Sequence, residues 1–372
     1  MDECKGSPRN GKIELLRFVC ATIIFLFHFG QLVNGDRLFF LSGALAVEFF
    51  FILSGYLMMA SVDRAGPISN SDLGKETLSF LKRKVSALYP ELLIAYILGF
   101  IVQTLAREEN FIGAVKLLMD SFWEVLLLRQ TGLQLKDINH ATWYLSSMLI
   151  CMVILYPLLR KFPNIMGRIV VPFASLLIMG ILCRNYSTPR DPTKWIGWTY
   201  KGNLRAFSEL GMGVLCYQLT KIFREVKLTR LGKGICTCLE PALYALFIAY
   251  MIFRPSSKRD WILMPLLVLA IGITFSEQTY FPHALDHNAI YFLGKCSLPL
   301  YLCHYFWAVY LPEFLPENST WSFEFLSYIS VCFGTATIIF LLSALWKRYH
   351  IGTKLFRLFV QEQFDMSARK KE

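Results

Sequence analysis

Apolar runs long enough to cross a lipid bilayer recur along the whole chain, separated by short hydrophilic segments. A span needs about 20 mostly apolar residues. Windows of that kind stand near 14–33, 38–60, 85–105, 143–159, 169–183, 204–220, 235–253, 260–276, 289–311 and 324–345. The pattern predicts an all-α polytopic membrane protein of about ten transmembrane helices. The stretch 111–128, "FIGAVKLLMDSFWEVLLL", differs, because Lys116, Asp120 and Glu124 interrupt it at helical spacing. That spacing predicts an amphipathic helix lying in the interface and not a span.

The loops set an orientation. Basic residues gather in 61–84 (Arg64, Lys75, Lys82, Arg83, Lys84), in "RKFPNIMGR" (160–168), in "KIFREVKLTRLGKG" (221–234) and after Trp346. With ten spans and the amino terminus inside, all four segments fall on the cytoplasmic side, as the positive-inside rule requires. "RPSSKRD" (254–260) is the exception, basic and expected outside. The organisation predicted is one transmembrane domain over 1–346 and a basic cytoplasmic tail over 347–372, with both termini cytoplasmic. The first apolar run reads as a retained helix, since it is long and a second follows at once. The expected location is the cytoplasmic (inner) membrane, crossed many times.

Composition agrees with the pattern. Of 372 residues 55% are hydrophobic and only 17% charged, against about 25% charged in an ordinary soluble domain. A net charge of +11 would suggest nucleic acid in a soluble protein, but here the excess sits in loops between spans. The partner it implies is the anionic bilayer surface, with no nucleic acid. The ten cysteines form no CxxC pair and read as small buried hydrophobes.

Candidate chemistry lies in the first two spans. Arg17 and His28 are eleven residues apart on a helix, a rotation of about 1100° that closes to within about 20° of three turns. Both side chains therefore share one face, about 16 Å apart along the axis, with Glu14 on nearly the same stripe. Glu48 stands in the apolar run "ALAVEFFFILSGYLMM". A short turn at Asn34-Gly35-Asp36 would set it level with the gap between Arg17 and His28. Ionisable groups at membrane depth are costly and normally face a partner or a water-filled cavity. The expectation is a shared cavity in which Arg17 or His28 relieves the Glu48 carboxylate.

These residues sit in recognisable surroundings. "RFVCATIIFLFH" (Arg17–His28), "FFILSGY" (Phe50–Tyr56), "FLKRKVSALYPELL" (Phe80–Leu93), "WYLSSMLI" (Trp143–Ile150) and "LGKCSLPLYLCHYF" (Leu293–Phe306) occur in that order. Together they resemble the acyltransferase-3 family of integral-membrane O-acyltransferases. The resemblance implies transfer of an acyl group, usually acetyl, from cytoplasmic acyl-CoA to a hydroxyl of a cell-envelope or lipid-linked glycan. It makes acetyl-CoA a donor substrate and implies no bound cofactor or metal. His28 would then be the catalytic histidine, with Arg17 its motif partner near the CoA side and Glu48 beside them. Arg83 and Lys84 would hold the CoA phosphates. Many members carry a second arginine four residues after the first in the basic segment, where this chain has Ala87.

The residue types suit that chemistry. A sugar hydroxyl needs a base with a pKa near 7, which histidine supplies. Ser54 and Tyr56 offer hydroxyl donors to a tetrahedral oxyanion. Trp143 and Tyr144, at the start of the fourth span, offer either an interfacial aromatic belt or an acceptor-binding surface. His304 offers either a lining of the same cavity or packing. "HALDH" (His283, Asp286, His287) is a loop cluster with little claim on a metal. The rival class is a proton-coupled transporter with Arg17, Glu48 and His28 as its polar pathway. It predicts related halves or helices broken at matching positions, and no such symmetry stands out in the sequence.

Overall fold

The computed structural model describes residues 9–33 and 39–349. The turn expected at Asn34-Gly35-Asp36 and the tail beyond 349 lie outside the described residues. Eleven helices of ten residues or more follow one another. They are α1 (Gly11–His28), α2 (Ala46–Arg64), α3 (Leu73–Ala106), α4 (Phe111–Asp120), α5 (Trp143–Lys161) and α6 (Val171–Asn185). After these come α7 (Lys201–Glu225), α8 (Arg230–Phe253), α9 (Leu263–Ser276), α10 (Asn288–Tyr310) and α11 (Trp321–Arg348). No strand occurs among the described residues.

Each of the ten apolar windows coincides with a helix, but among the described residues eight helical segments are long and apolar enough to cross a membrane. The two that fall short are α7 and α10. Both are enclosed by other helices: α7 by α2, α5, α6 and α9, and α10 by α1, α3 and α11. A helix that faces protein on most sides is free of the demand for uniform apolarity that lipid imposes. In α7 that freedom admits Lys201, Arg205 and Glu209, all buried.

Contact between α2 and α7 is the most intimate in the fold. A Cβ on Gly55 would stand 1.9 Å from the Leu210 carbonyl oxygen, and one on Gly213 would stand 2.1 Å from that of Ile52. The two backbones touch because neither position has a side chain, the small-residue route to close packing in membranes. Arg205 crosses this seam. Its Nη2 donates to Glu48 Oε1 at 2.6 Å, its Nε to Glu209 Oε1 at 3.2 Å and its Nη1 to the Pro189 carbonyl at 2.8 Å. The guanidinium also stands 5.2 Å from the centroid of the Trp143 ring.

At one end of the bundle the start of α1 meets α8 and the segment that leads into α10. Asn10 caps α1 by accepting from Ile13 N at 3.2 Å, and Lys12 reaches Glu240 at 2.6 Å. Asp286, from the "HALDH" stretch, accepts from Gly11 N at 2.6 Å and from the His283 ring at 2.8 Å. The ends of α2 and α7 join there through Asp63 and Lys221, 3.1 Å apart. Arg160, at the end of α5, grips Glu76 at the start of α3 at 2.5 Å. At the opposite end α4 leaves Phe111, Ile112 and Met119 largely exposed. That apolar face suits the membrane interface.

After α4 the chain is tied down by Glu124, 1% exposed, which accepts from Ile138 N at 3.0 Å and Asn139 N at 3.2 Å. Burial pushes its carboxyl up to about 7, against the opposing pull of Arg129 and of those two N–H groups.

Two predictions follow from these buried charges. Replacing Arg205 by Met leaves two buried carboxylates facing each other, at an expected cost of about 3–5 kcal/mol. Thermal unfolding of the purified protein in detergent checks this, and a loss under about 1 kcal/mol would contradict it. Glu124 titrates higher folded than unfolded, so its contribution is full below about 4.5 and is lost as pH rises through about 7. Glu124→Gln should remove on the order of 3 kcal/mol of pH dependence over that interval, seen as a flatter profile of melting temperature against pH.

Candidate functional site

Two cavities open in the bundle, one on each side of Val47 and Tyr301, which line both. The first, about 260 Å³, holds Arg17, Lys84, Ser54 and Tyr144. Arg17 comes from the first half of α1 and Lys84 from the first third of α3, so this cavity lies toward the end where those helices begin. Arg17 pairs with Glu14 at 3.3 Å, and Ser54 Oγ lies 3.4 Å from the Tyr144 hydroxyl. The second cavity, about 360 Å³, holds His28, His304, His140, Arg190, Arg205 and Trp143. It lies toward the other end, lined by Gln31 from the helical extension of α1 and by Asp191 and Thr193 from the connection before α7.

His28 and His304 meet in the second cavity. His304 Nδ1 lies 2.6 Å from the Tyr301 carbonyl, and a carbonyl only accepts, so that nitrogen carries the proton. In the neutral ring His304 Nε2 is then an acceptor, and it lies 3.2 Å from His28 Nδ1. His28 Nδ1 also lies 3.0 Å from the Ile24 carbonyl, which again requires a proton on Nδ1. One tautomer satisfies every contact. It leaves His28 Nε2 with a free lone pair and no partner among the described residues, on a ring that is half-buried and lines the cavity. Such a nitrogen can take a proton, and the imidazolium formed would still donate from Nδ1 to Ile24 and His304.

His140 stands across from this pair, and Tyr305 lies between. The Tyr305 ring stacks on His140 at 5.0 Å and meets His28 edge-on at 5.2 Å. His140 Nδ1 donates to Asp137 at 3.2 Å, and Arg129 donates to the same carboxylate, which leaves His140 Nε2 for the cavity. Burial would raise the Asp137 carboxyl, but hydrogen bonds from His140 and Arg129 outweigh it and hold the group below the usual carboxylate range. Asp137 is therefore an anion that locks both partners in place.

Of the residues singled out in the sequence, the structure brings His28, His304 and Trp143 into one cavity and Arg17, Lys84, Ser54 and Tyr144 into the other. The single cavity expected for Arg17, His28 and Glu48 does not form. Glu48 is fully buried, lines neither cavity and is held by Arg205 in place of Arg17 or His28. The physical reason is helical: successive side chains diverge by about 100°, so Val47 faces the cavities and Glu48 faces α7. Tyr56 stacks on Phe275 at 4.2 Å, away from both cavities. Arg83 is exposed and lines neither.

Sequence reasoning missed Arg205, His140 and Arg190. Arg205 and Glu209 were open to discovery, since two ionisable residues at i and i+4 inside an apolar window carry the same signal as Arg17 and His28. His140 and Arg190 lie in connections where polar residues are ordinary, and no spacing marks them.

No curated protein and no solved structure matches the chain. A family model described as "Acyltransferase domain" matches residues 10–344. The match runs from the residue that caps α1 into α11 and takes in both cavities. The chain therefore belongs to this acyltransferase family, as an integral membrane protein whose helices are built to span lipid.

Proposed function

We propose that the protein transfers an acyl group, expected to be acetyl, from acyl-CoA on the cytoplasmic side to a hydroxyl of a cell-envelope or lipid-linked glycan on the other side. The observation that carries this reading is His28. Its hydrogen bonds leave one basic nitrogen facing a cavity, and Val47 and Tyr301 of that cavity also line the one holding Arg17 and Lys84.

The topology proposed is ten spans, α7 and α10 included, with both termini cytoplasmic. The concentration of Lys and Arg at the end where α1 and α3 begin supports that orientation. Arg17 and Lys84 would then meet the CoA phosphates. The acceptor would enter the His28 cavity from outside.

The reaction needs one base and one set of donors. The acceptor oxygen attacks the thioester carbonyl carbon while His28 Nε2 takes the hydroxyl proton. The C–S bond then breaks, and the leaving thiolate recovers that proton from His28 as free CoA thiol. His304 is a positioning residue: it accepts from His28 Nδ1 and so favours the tautomer with Nε2 free. Ser54 and Tyr144 would offer hydroxyl donors from the wall of the cavity that holds Arg17 and Lys84.

His28→Ala should lower transfer of label from acetyl-CoA to envelope glycan by roughly 10²- to 10⁴-fold at matched membrane expression. Undiminished transfer in that variant would overturn the mechanism. At His304, Gln keeps an acceptor for His28 Nδ1 and Leu does not. We expect His304→Gln to keep more activity than His304→Leu, with KM for acetyl-CoA unchanged in both. Equal losses in the two variants would make His304 a packing residue only.

A further inference from the structure

A third cavity, about 230 Å³, opens beside the His28 cavity, and Thr193 lines both. A second link is Asp137, which lines the third cavity and holds His140, which lines the His28 cavity. The third cavity is almost wholly polar. Gln130 forms part of its wall and is 2% exposed, yet its side-chain oxygen and nitrogen both lack a partner among the described residues. The backbone of Gln130 is held on both sides. Its N–H donates to Ser146 Oγ at 2.9 Å and its carbonyl accepts from Asn203 Nδ2 at 2.8 Å, so the residue is anchored. Gln134, on the same wall, has its own side-chain oxygen buried without a partner.

A buried primary amide with neither end satisfied is unfavourable unless something completes it. The chemistry of what completes it can be read from the wall. Arg129 is neutralised by Asp137, to which it donates from two nitrogens, so the cavity presents no free charge of either sign. What remains is amide donors and acceptors, the Thr193 hydroxyl and the Tyr200 phenol. Trp195 packs edge-on against Tyr200 at 5.1 Å and lies over Gly132, where a Cβ would meet its ring at 3.2 Å. Half of Trp195 remains exposed. Paired amide groups suit vicinal hydroxyls, and an exposed aromatic ring suits the C–H face of a pyranose.

We propose that this cavity is an acceptor subsite, holding an uncharged sugar unit adjacent to the one acylated at His28. The proposal rests on the glycan-acceptor reading above and deepens it. Gln130 and Gln134 bond the hydroxyls of that unit, Trp195 and Tyr200 form the rim, and Thr193 marks the passage to the reacting sugar. The enzyme then reads at least two units of its acceptor.

The test compares acceptors of different length. Envelope glycan from the producing cells is freed of O-acyl groups with mild base and cut to monosaccharide and oligosaccharide fractions. Each fraction is offered, with labelled acetyl-CoA, to membranes carrying the native chain. The native chain should favour oligosaccharide over monosaccharide in kcat/KM, and Gln130→Ala should lower that ratio by roughly tenfold. Trp195→Ala, a change at the exposed rim, should lower it in the same direction and covers the case in which the Gln130 variant fails to fold. A general folding defect would depress both fractions alike and leave the ratio where it was. An unchanged ratio in the folded variants, or no length preference in the native chain, overturns the subsite while transfer itself upholds the glycan reading. A preference confined to fragments whose flanking sugar bears a carboxylate overturns the assignment to an uncharged unit. Absence of label from every fraction with the native chain overturns the glycan reading and the subsite together.

Discussion

A guanidinium removed from solvent must find its counter-charges inside the protein, and much of this fold is arranged around the one on Arg205. Only 3% exposed, it draws in Glu48 from α2, Glu209 from its own helix and the Pro189 carbonyl from the connection before α7, and it packs on the Trp143 ring of α5. Every contact but that with Glu209 fixes a different element relative to α7. The close backbone approach at Gly55 and Gly213 fixes the distance between α2 and α7, and the ion pair fixes their register. Val47 is turned to the cavities because Glu48, its neighbour, is turned to Arg205.

The same economy governs the proposed reaction centre. His28 carries no carboxylate partner; its orientation comes from a backbone carbonyl one turn earlier on its helix and from a second imidazole. Neutral partners hold a neutral ring without adding charge to a low-dielectric site, where an unmatched charge is expensive. His140 is held in the opposite manner, by an anion to which Arg129 also donates. Two histidines on one cavity thus stand in different electrostatic surroundings, which is the usual basis for different roles.

Dividing the interior into cavities on either side of Val47 and Tyr301 suits the proposed transfer between two unlike substrates. Lys84 and Arg17 bring positive charge to one side, where Ser54 and Tyr144 also lie. On the other side lie the aromatic rings of Trp143, Tyr301 and Tyr305, with Arg190, Asp191 and Thr193 beside them.

The all-α architecture was legible because a spanning helix must be apolar along its whole length, a constraint read one window at a time. The helical repeat likewise determined that Arg17 and His28 share a stripe of α1, and the ordered short motifs carried the family. Periodicity cannot say which neighbour faces that stripe. That Glu48 turns to Arg205 and that Tyr56 turns to Phe275 depends on residues far away in the chain. The pairing of His28 with His304, 276 positions apart, and the recruitment of His140, Arg190 and Gln130 from loops were decided only by packing. Local sequence sets which face of a helix is polar, whereas what that face meets is a property of the assembled bundle.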